Sequence, residues 1–187
     1  ERDDKMRTFQ IRLNSLSPLM FNTFRGQEEI PPERKLSLAP DGTTLILPAS
    51  NIMGILPSTM VGRSCVNTFV PPKERPEKKA EVLASVAIRE TDIPFLDENG
   101  PIQFHGFNSK VYVDERAAQA SKTARIIARR PVVAQPWALE FGLFINESDY
   151  VTATRMKDWF TQGGVAVGLG AFRPFFGKFE VSSWVEV

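Results

Sequence analysis

A glycine-rich run near the C-terminus constrains the fold most strongly, because it separates a predicted helix from a predicted last strand. Five of the twelve glycines of the chain lie between Gly163 and Gly177. Clustered glycines allow a backbone with positive φ or a close approach to a neighbouring group. Arg173 and Lys178 accompany the run, and unpaired N–H groups beside cations suit phosphate oxygens. The run therefore predicts either an anion-binding loop or a tight turn that closes a sheet.

The run does not match the phosphate-binding loops of nucleotide enzymes. The sequence has no Gly-Lys-Ser/Thr triplet, and no Gly-x-Gly-x-x-Gly motif opens a βαβ unit near its start. The glycines also follow most of the chain, whereas a nucleotide-binding turn follows the first strand of its unit.

The composition is that of an ordinary globular protein. With 187 residues, 42% of them hydrophobic and 24% charged, the chain predicts one domain over residues 1–187, with insertions at about 66–80 and 106–135. The single cysteine, Cys65, excludes an internal disulfide and a cysteine-based zinc site, which fits a reducing compartment. No apolar run reaches 18 residues. We therefore expect a cytoplasmic protein without a membrane partner.

Alternation of apolar and polar residues predicts the main strands. Residues 7–13, 137–145 and 178–185 alternate or carry dense β-branched and aromatic residues. A helix is predicted over about 151–162, capped by Ser148 or Asp149 and ended by the glycine run.

The middle of the chain is less regular. A short strand over 43–48 precedes a helix from 52 to 61, with Ser50 or Asn51 as its N-cap and a kink at Pro57. Composition and pattern predict three further segments: a mobile insertion over 66–79, a strand over 82–89, and an alternating stretch over 102–113. Residues 114–130 predict a flexible basic arm or hairpin.

This order of elements predicts an α+β fold, a ferredoxin-like (RRM-like) βαββαβ core with an inserted basic arm and a C-terminal glycine-rich loop. Nucleic acid commonly lies across such folds. The net charge of +1 does not itself indicate nucleic acid, but positive charge gathers in residues 73–79, in residues 122–130 and around the glycine run.

Three motifs resemble the RAMP superfamily of CRISPR-associated proteins. They are Leu45-Ile-Leu-Pro-Ala-Ser-Asn-Ile-Met-Gly54, then Arg129-Arg-Pro-Val-Val133, and the terminal run from Gly163 to Phe179. The sequence looks most like the backbone subunits that line guide RNA in effector complexes, the seventh Cas family.

The resemblance implies an RNA-binding subunit that holds guide RNA by its backbone and needs no cofactor. Its partners would be single-stranded RNA and other copies of itself or other effector subunits. The implied RNA-binding residues are Ser50, Asn51, Arg63, Lys122, Arg125, Arg129, Arg130, Gly168, Gly170, Arg173 and Lys178.

Two other functions stay open at this point. A relative in the same superfamily processes guide-RNA precursors with a histidine and no metal, and His105 is the only histidine here. We interpret His105 as a structural residue within a strand, and Asp41 as part of an ordinary Asp-Gly turn. The residues therefore favour a protein that is not an enzyme. The alternative is an assembly protein whose exposed aromatic residues pack against neighbouring subunits: Phe172, Phe175, Phe176 and Trp184.

Overall fold

Two antiparallel sheets and the helices beside them form the described part of the chain. A computed structural model describes residues 6–22, 30–57, 63–119 and 125–187. Its strands are β1 (Met6–Ser15), β2 (Leu19–Met20), β3 (Ile46–Pro48), β4 (Val86–Ile88), β5 (Asp92–Asp97), β6 (Gly100–Pro101), β7 (Val111–Gln119), β8 (Arg125–Val133), β9 (Ala138–Asn146) and β10 (Phe179–Glu186). Its α-helices are α1 (Ala49–Met53), α2 (Cys65–Phe69), α3 (Arg75–Ser85) and α4 (Ala153–Ala166), and a 3-10 helix covers Pro32–Lys35.

The larger sheet has the order β10-β1-β9-β5-β3, with β4 paired to β9 and β6 paired to β5. The prediction that residues 7–13, 137–145 and 178–185 share one sheet is confirmed, since β1 pairs with both β9 and β10. The alternation in β1 buries Phe9, Ile11 and Leu13 on one face, as a half-buried strand requires.

The core lies between this face and the helices. Phe160 of α4 packs against Phe141 of β9 and Trp184 of β10, with ring centroids 6.0 Å and 5.8 Å away. On the other side of α4, Gly163 lies against Cys65 of α2. The helix therefore fills the space between the sheet and the shorter helices.

Helix α4 starts and ends later than the sequence predicts. Thr152 is the N-cap, because its side chain accepts a hydrogen bond from the Arg155 N–H at 3.1 Å. The predicted caps Ser148 and Asp149 lie outside the helix. Gly163 and its neighbour continue the helix, and the chain turns only at Gly168, which has φ of 73°.

The predicted helix over 52–61 is mostly wrong. Helix α1 covers only Ala49–Met53, its N-cap is Pro48, and no side chain caps it. Gly54 closes the turn, so the helix ends before Pro57, which would remove a backbone donor. Residues 58–62 lie outside the described part.

The segment that follows is helical where we expected an irregular insertion and a strand. Helix α2 covers Cys65–Phe69 and α3 covers Arg75–Ser85, and within the predicted strand over 82–89 only Val86–Ile88 is a strand. Val82 and Val86 are buried while Ala84 is exposed. Residues four positions apart lie on the same face of a helix and also on the same face of a strand. The spacing of Val82 and Val86 therefore fits both structures.

The second sheet has the order β2-β8-β7. Its long strands form the hairpin that was one of the two predicted forms of residues 114–130. The alternating stretch 102–113 is irregular up to Lys110, apart from a single bridge between Gln103 and Thr44. The chain thus has an α+β fold with antiparallel sheets, consistent with a ferredoxin-like fold.

Candidate nucleic-acid interface

A cleft of about 330 Å³ joins two of the motifs that the sequence singled out. Its lining residues come from the β2 region, the segment after the 3-10 helix, the β3–α1 junction and the glycine run: Met20, Phe21, Asn22, Ser37, Leu47, Pro48, Asn51, Gly170 and Ala171. Asn51 and Gly170, which are remote in sequence, are therefore brought to one site.

The β3–α1 junction places Asn51 in the cleft wall. Pro48 ends β3 and is the N-cap of α1, so the chain turns sharply and presents the first helical turn. Asn51 is exposed and lines the cleft. Ser50 is also exposed but does not line it; its carbonyl accepts a hydrogen bond from the Gly54 N–H at 2.9 Å. Neither residue is the N-cap of the helix, so the prediction that Ser50 or Asn51 caps it is wrong.

The glycine run is held mainly by its own backbone. The Leu169 N–H donates to the Gly177 carbonyl at 2.9 Å, and the Gly177 N–H donates to Pro18 O at 2.7 Å. The Ala171 N–H donates to Met20 O at 2.8 Å and forms a bridge to β2. These N–H groups are therefore unavailable to an anion, and most of the glycines serve close backbone packing.

Gly170 is the position where the run meets the cleft. Its φ is 71°, and a Cβ there would lie 2.5 Å from Met20 O and 3.1 Å from a Leu19 methyl. Its own N–H forms no hydrogen bond with another described residue. By contrast, Gly168 is buried and donates its N–H to Gly163 O at 2.9 Å. Of the two predicted contact glycines, only Gly170 lines the cleft.

The cations of the run are partly withdrawn from solvent. Arg173 is half-buried and donates from Nη1 to the Gly168 carbonyl at 3.3 Å. Burial lowers the pKa of this guanidinium from its ordinary value, without making it neutral near pH 7. Lys178 is half-buried, and its backbone fixes the turn before β2 because its N–H donates to the Ser17 hydroxyl at 2.9 Å.

The hairpin does not present its arginines together. The register pairs residue 130 with 114 and residue 128 with 116. Arg130 therefore shares a face with Arg116, and Arg125 and Arg129 lie on the opposite face. Lys122 lies outside the described residues. The predicted basic arm is thus divided between two surfaces.

The two faces differ in their surroundings. Arg129 pairs with Glu115 at 2.7 Å and lines an open depression of about 640 Å³ beside Phe107. An exposed pair of this kind contributes little stability. On the other face, Nε of Arg130 is buried and has no partner among the described side chains and backbone.

Arg116 is a residue that the sequence analysis missed. Its guanidinium forms two hydrogen bonds to Asp114, at 2.5 Å and 2.6 Å, and lies 4.8 Å from the ring centroids of both Phe172 and Phe176. The hydrogen bonds to Asp114 raise its pKa further. This contact joins the hairpin to the glycine run. In sequence, Arg116 is one charge among several in a strand, and nothing marks its partners.

The residues considered for catalysis do not line the cleft. His105 is exposed in a bend, so the expectation that it lies within a strand is wrong. Asp41 does form the predicted turn: its carboxylate accepts hydrogen bonds from Thr44 and the Thr43 N–H, which lower its pKa to about 2. Burial raises the pKa of the Cys65 thiol to about 12, which disfavours a reactive thiolate.

In the described ranges, no three or more His, Cys, Asp or Glu side chains are grouped as a metal site would require. Within those same ranges, every helix is too short or too polar to cross a bilayer.

Arg63, the remaining predicted site residue, is exposed just before α2 and does not line the cleft.

Comparison with known proteins gives a fold and no family. No protein-family model matches the sequence, and no curated protein matches it. Among solved structures, the chain is similar to one in the cryo-EM structure of the type III-B Cmr-beta bound to cognate target RNA, with a TM-score of 0.61 and 14% sequence identity. The match covers 97% of this chain and 61% of that chain. The chain thus spans about three fifths of that neighbour's length and shares its fold.

Proposed function

We propose that this chain is an RNA-binding subunit of a CRISPR-type effector complex and holds single-stranded guide RNA by its backbone. One observation carries the proposal: Asn51 and Gly170, which belong to two separate motifs, line the same cleft. A purely structural role for these motifs does not require a shared solvent-accessible site.

The fold supports the proposal. The order β10-β1-β9-β5, with α1 after β1 and α4 before β10, fits a βαββαβ core in which β5 is the second core strand. On this interpretation α2, α3 and the β7–β8 hairpin are insertions in a single domain. The structural neighbour belongs to a complex bound to target RNA, and this supports RNA and other effector subunits, or further copies of this chain, as partners.

The chemistry of the cleft suits a sugar-phosphate backbone. Asn51 offers amide donors and an acceptor, and Gly170 offers an N–H that has no hydrogen-bond partner among the described residues. Leu47 and Met20 line the cleft with apolar groups. Arg173 supplies positive charge within the run, and Arg116, which contacts the run, supplies it from the hairpin. Groups of this kind position a strand without reading its bases, so the proposed recognition is independent of sequence.

The proposal is tested by adding one negative charge to the cleft. The purified protein should elute with absorbance at 260 nm above that of clean protein and should bind fluorescent single-stranded RNA with an affinity that falls with salt. Asn51→Asp should weaken binding about fivefold, because like charges about 4 Å apart in water cost about 1 kcal/mol. Asn99→Asp, in the exposed turn between β5 and β6, is the matched control and should bind as the unmodified protein does.

Equal binding by both variants would show that RNA does not pass the cleft. An unmodified protein that binds no RNA at low salt would refute the function itself and favour an assembly protein. The proposed chain is a binding subunit rather than a guide-processing endoribonuclease, because its only histidine does not line the cleft. Cleavage of RNA that stops in His105→Ala would reverse that assignment.

A further inference from the structure

Beside the cleft, the glycine run carries an exposed aromatic turn. Ala171 lines the cleft, and Phe172 follows it directly with φ of 55°. A non-glycine residue in this left-handed region is strained, and such residues concentrate at functional sites. Phe172 and Phe175 are 42% and 75% exposed, with ring centroids 5.8 Å apart. They are the only aromatic residues among the large exposed hydrophobic side chains of the described ranges.

The turn is held in place from the hairpin side. The guanidinium of Arg116 lies over the rings of both Phe172 and Phe176, 4.8 Å from each centroid, and Asp114 fixes its plane through two hydrogen bonds. Phe172 and Phe176 also contact each other, with centroids 6.1 Å apart. Two of the three rings are therefore anchored, and the third, that of Phe175, is left open to solvent.

We propose that Phe175 is a stacking platform for a nucleobase of single-stranded RNA whose backbone passes the adjacent cleft. The inference rests on the proposed function and extends it from the backbone to the bases. Sequence-tolerant RNA sites combine aromatic platforms with cations, and this turn has Arg116 on its rings and Arg173 within it.

A nucleobase fits the patch better than a protein surface does. The exposed aromatic area is one turn, bordered by a charged residue that already occupies two ring faces. Specific protein interfaces need about 800 Å² on each partner, far more than two phenylalanine side chains provide. A single base needs only one free ring face, which Phe175 offers.

The test compares intact RNA with the same oligonucleotide made abasic, so that the backbone is unchanged and the base is removed. Phe175→Ala should weaken intact RNA by roughly 5- to 150-fold, since a stacked base contributes about 1–3 kcal/mol. Phe175→Trp should bind intact RNA at least as well as the unmodified protein, and Phe175→Leu should bind less well. None of these variants should change affinity for the abasic strand. Leu83→Ala, at an exposed leucine of α3, is the control and should behave as the unmodified protein does.

A second variant tests the anchor. Arg116→Lys keeps the charge but loses the planar fork that bonds Asp114 and stacks on the rings. It should weaken intact RNA by a few-fold and leave abasic RNA unchanged, because the rings are no longer held. An equal loss on both strands would show that Arg116 acts as a charge for the backbone and not as a positioning residue.

The outcomes separate the failure of the platform from the failure of the function. If the unmodified protein binds intact and abasic RNA equally, and Phe175→Ala changes neither, the platform is wrong while RNA binding stands. If no RNA binds at all, the proposed function fails. If Phe175→Ala instead lowers the oligomeric mass measured by light scattering and leaves RNA affinity unchanged, the turn is a protein interface and the platform is refuted.

Discussion

Gly164 allows a test in which helix propensity and packing predict opposite signs. The residue lies inside α4 and is buried. Replacing a helical glycine with alanine ordinarily stabilises a protein by about 1 kcal/mol. Here a Cβ would press against the carbonyl oxygen of Phe179, well inside van der Waals distance, and would lie 2.9 Å from the Phe179 ring. We therefore expect Gly164→Ala to destabilise the protein.

The magnitude follows from what would have to move. Phe179 is fully buried and begins β10, where it pairs with Ser15 of β1, so the obstacle is backbone in a sheet rather than a flexible side chain. Overpacking of this kind costs about 1–3 kcal/mol, and the rigid carbonyl places the cost near the upper end. Subtracting the gain of about 1 kcal/mol in propensity leaves a net loss of about 2 kcal/mol.

Urea denaturation and thermal melting would measure this loss. For a chain of this size, 2 kcal/mol lowers Tm by about 4–8 °C. Val165→Ala is the matched control in the same helix, because Val165 is half exposed and alanine has the higher helix propensity. The control should melt at the same temperature or slightly higher. A Gly164→Ala protein as stable as the unmodified one would refute the packing argument.

Three more predictions concern the loop and its surroundings. Arg173→Ala should weaken RNA of every sequence about equally and reduce the slope of log affinity against log salt by about one, as measured by anisotropy at several salt concentrations; an unchanged slope would contradict it. Gly170→Val should cost on the order of 1 kcal/mol or more in urea unfolding, because the positive φ disfavours a side chain and an added Cβ would lie only 2.5 Å from the Met20 carbonyl oxygen; unaltered stability would refute that account. The lowered pKa of Asp41, about 2, stabilises the fold above the unfolded value near 3.9, and this contribution disappears as the pH falls through about 2. Asp41→Asn should therefore lose less stability than the unmodified protein between pH 4 and pH 2, and parallel curves would argue against it.

Sequence reasoning succeeded where a short-range pattern has one structural meaning. Alternation placed β1, β9 and β10 within a few residues and led to their shared sheet. It failed at residues 82–89, because the spacing of Val82 and Val86 satisfies both periods. It also placed the end of α4 at Gly163, since a glycine after an apolar helix is usually a C-cap.

Asn51 and Gly170, two of the residues that the resemblance implies bind RNA, line one cleft, and their role in RNA binding stays a prediction. Gly168 is buried, and the arginines at positions 129 and 130 lie on opposite faces of a hairpin. Adjacent positions look alike in a basic run, whereas a strand directs them to opposite sides.

The amino-acid sequence by itself determined the α+β class, the three main strands, the helix before the last strand and the region where the chain must turn. These features depend on local spacing and on backbone freedom, which a sequence displays directly. Only the tertiary structure decided why the glycines are there and which charges act together. Gly164 leaves space for Phe179. Arg116 contacts Phe172 although β8, β9 and α4 lie between them in the sequence. Both contacts join residues that are distant in sequence, and no periodicity in either segment records the other.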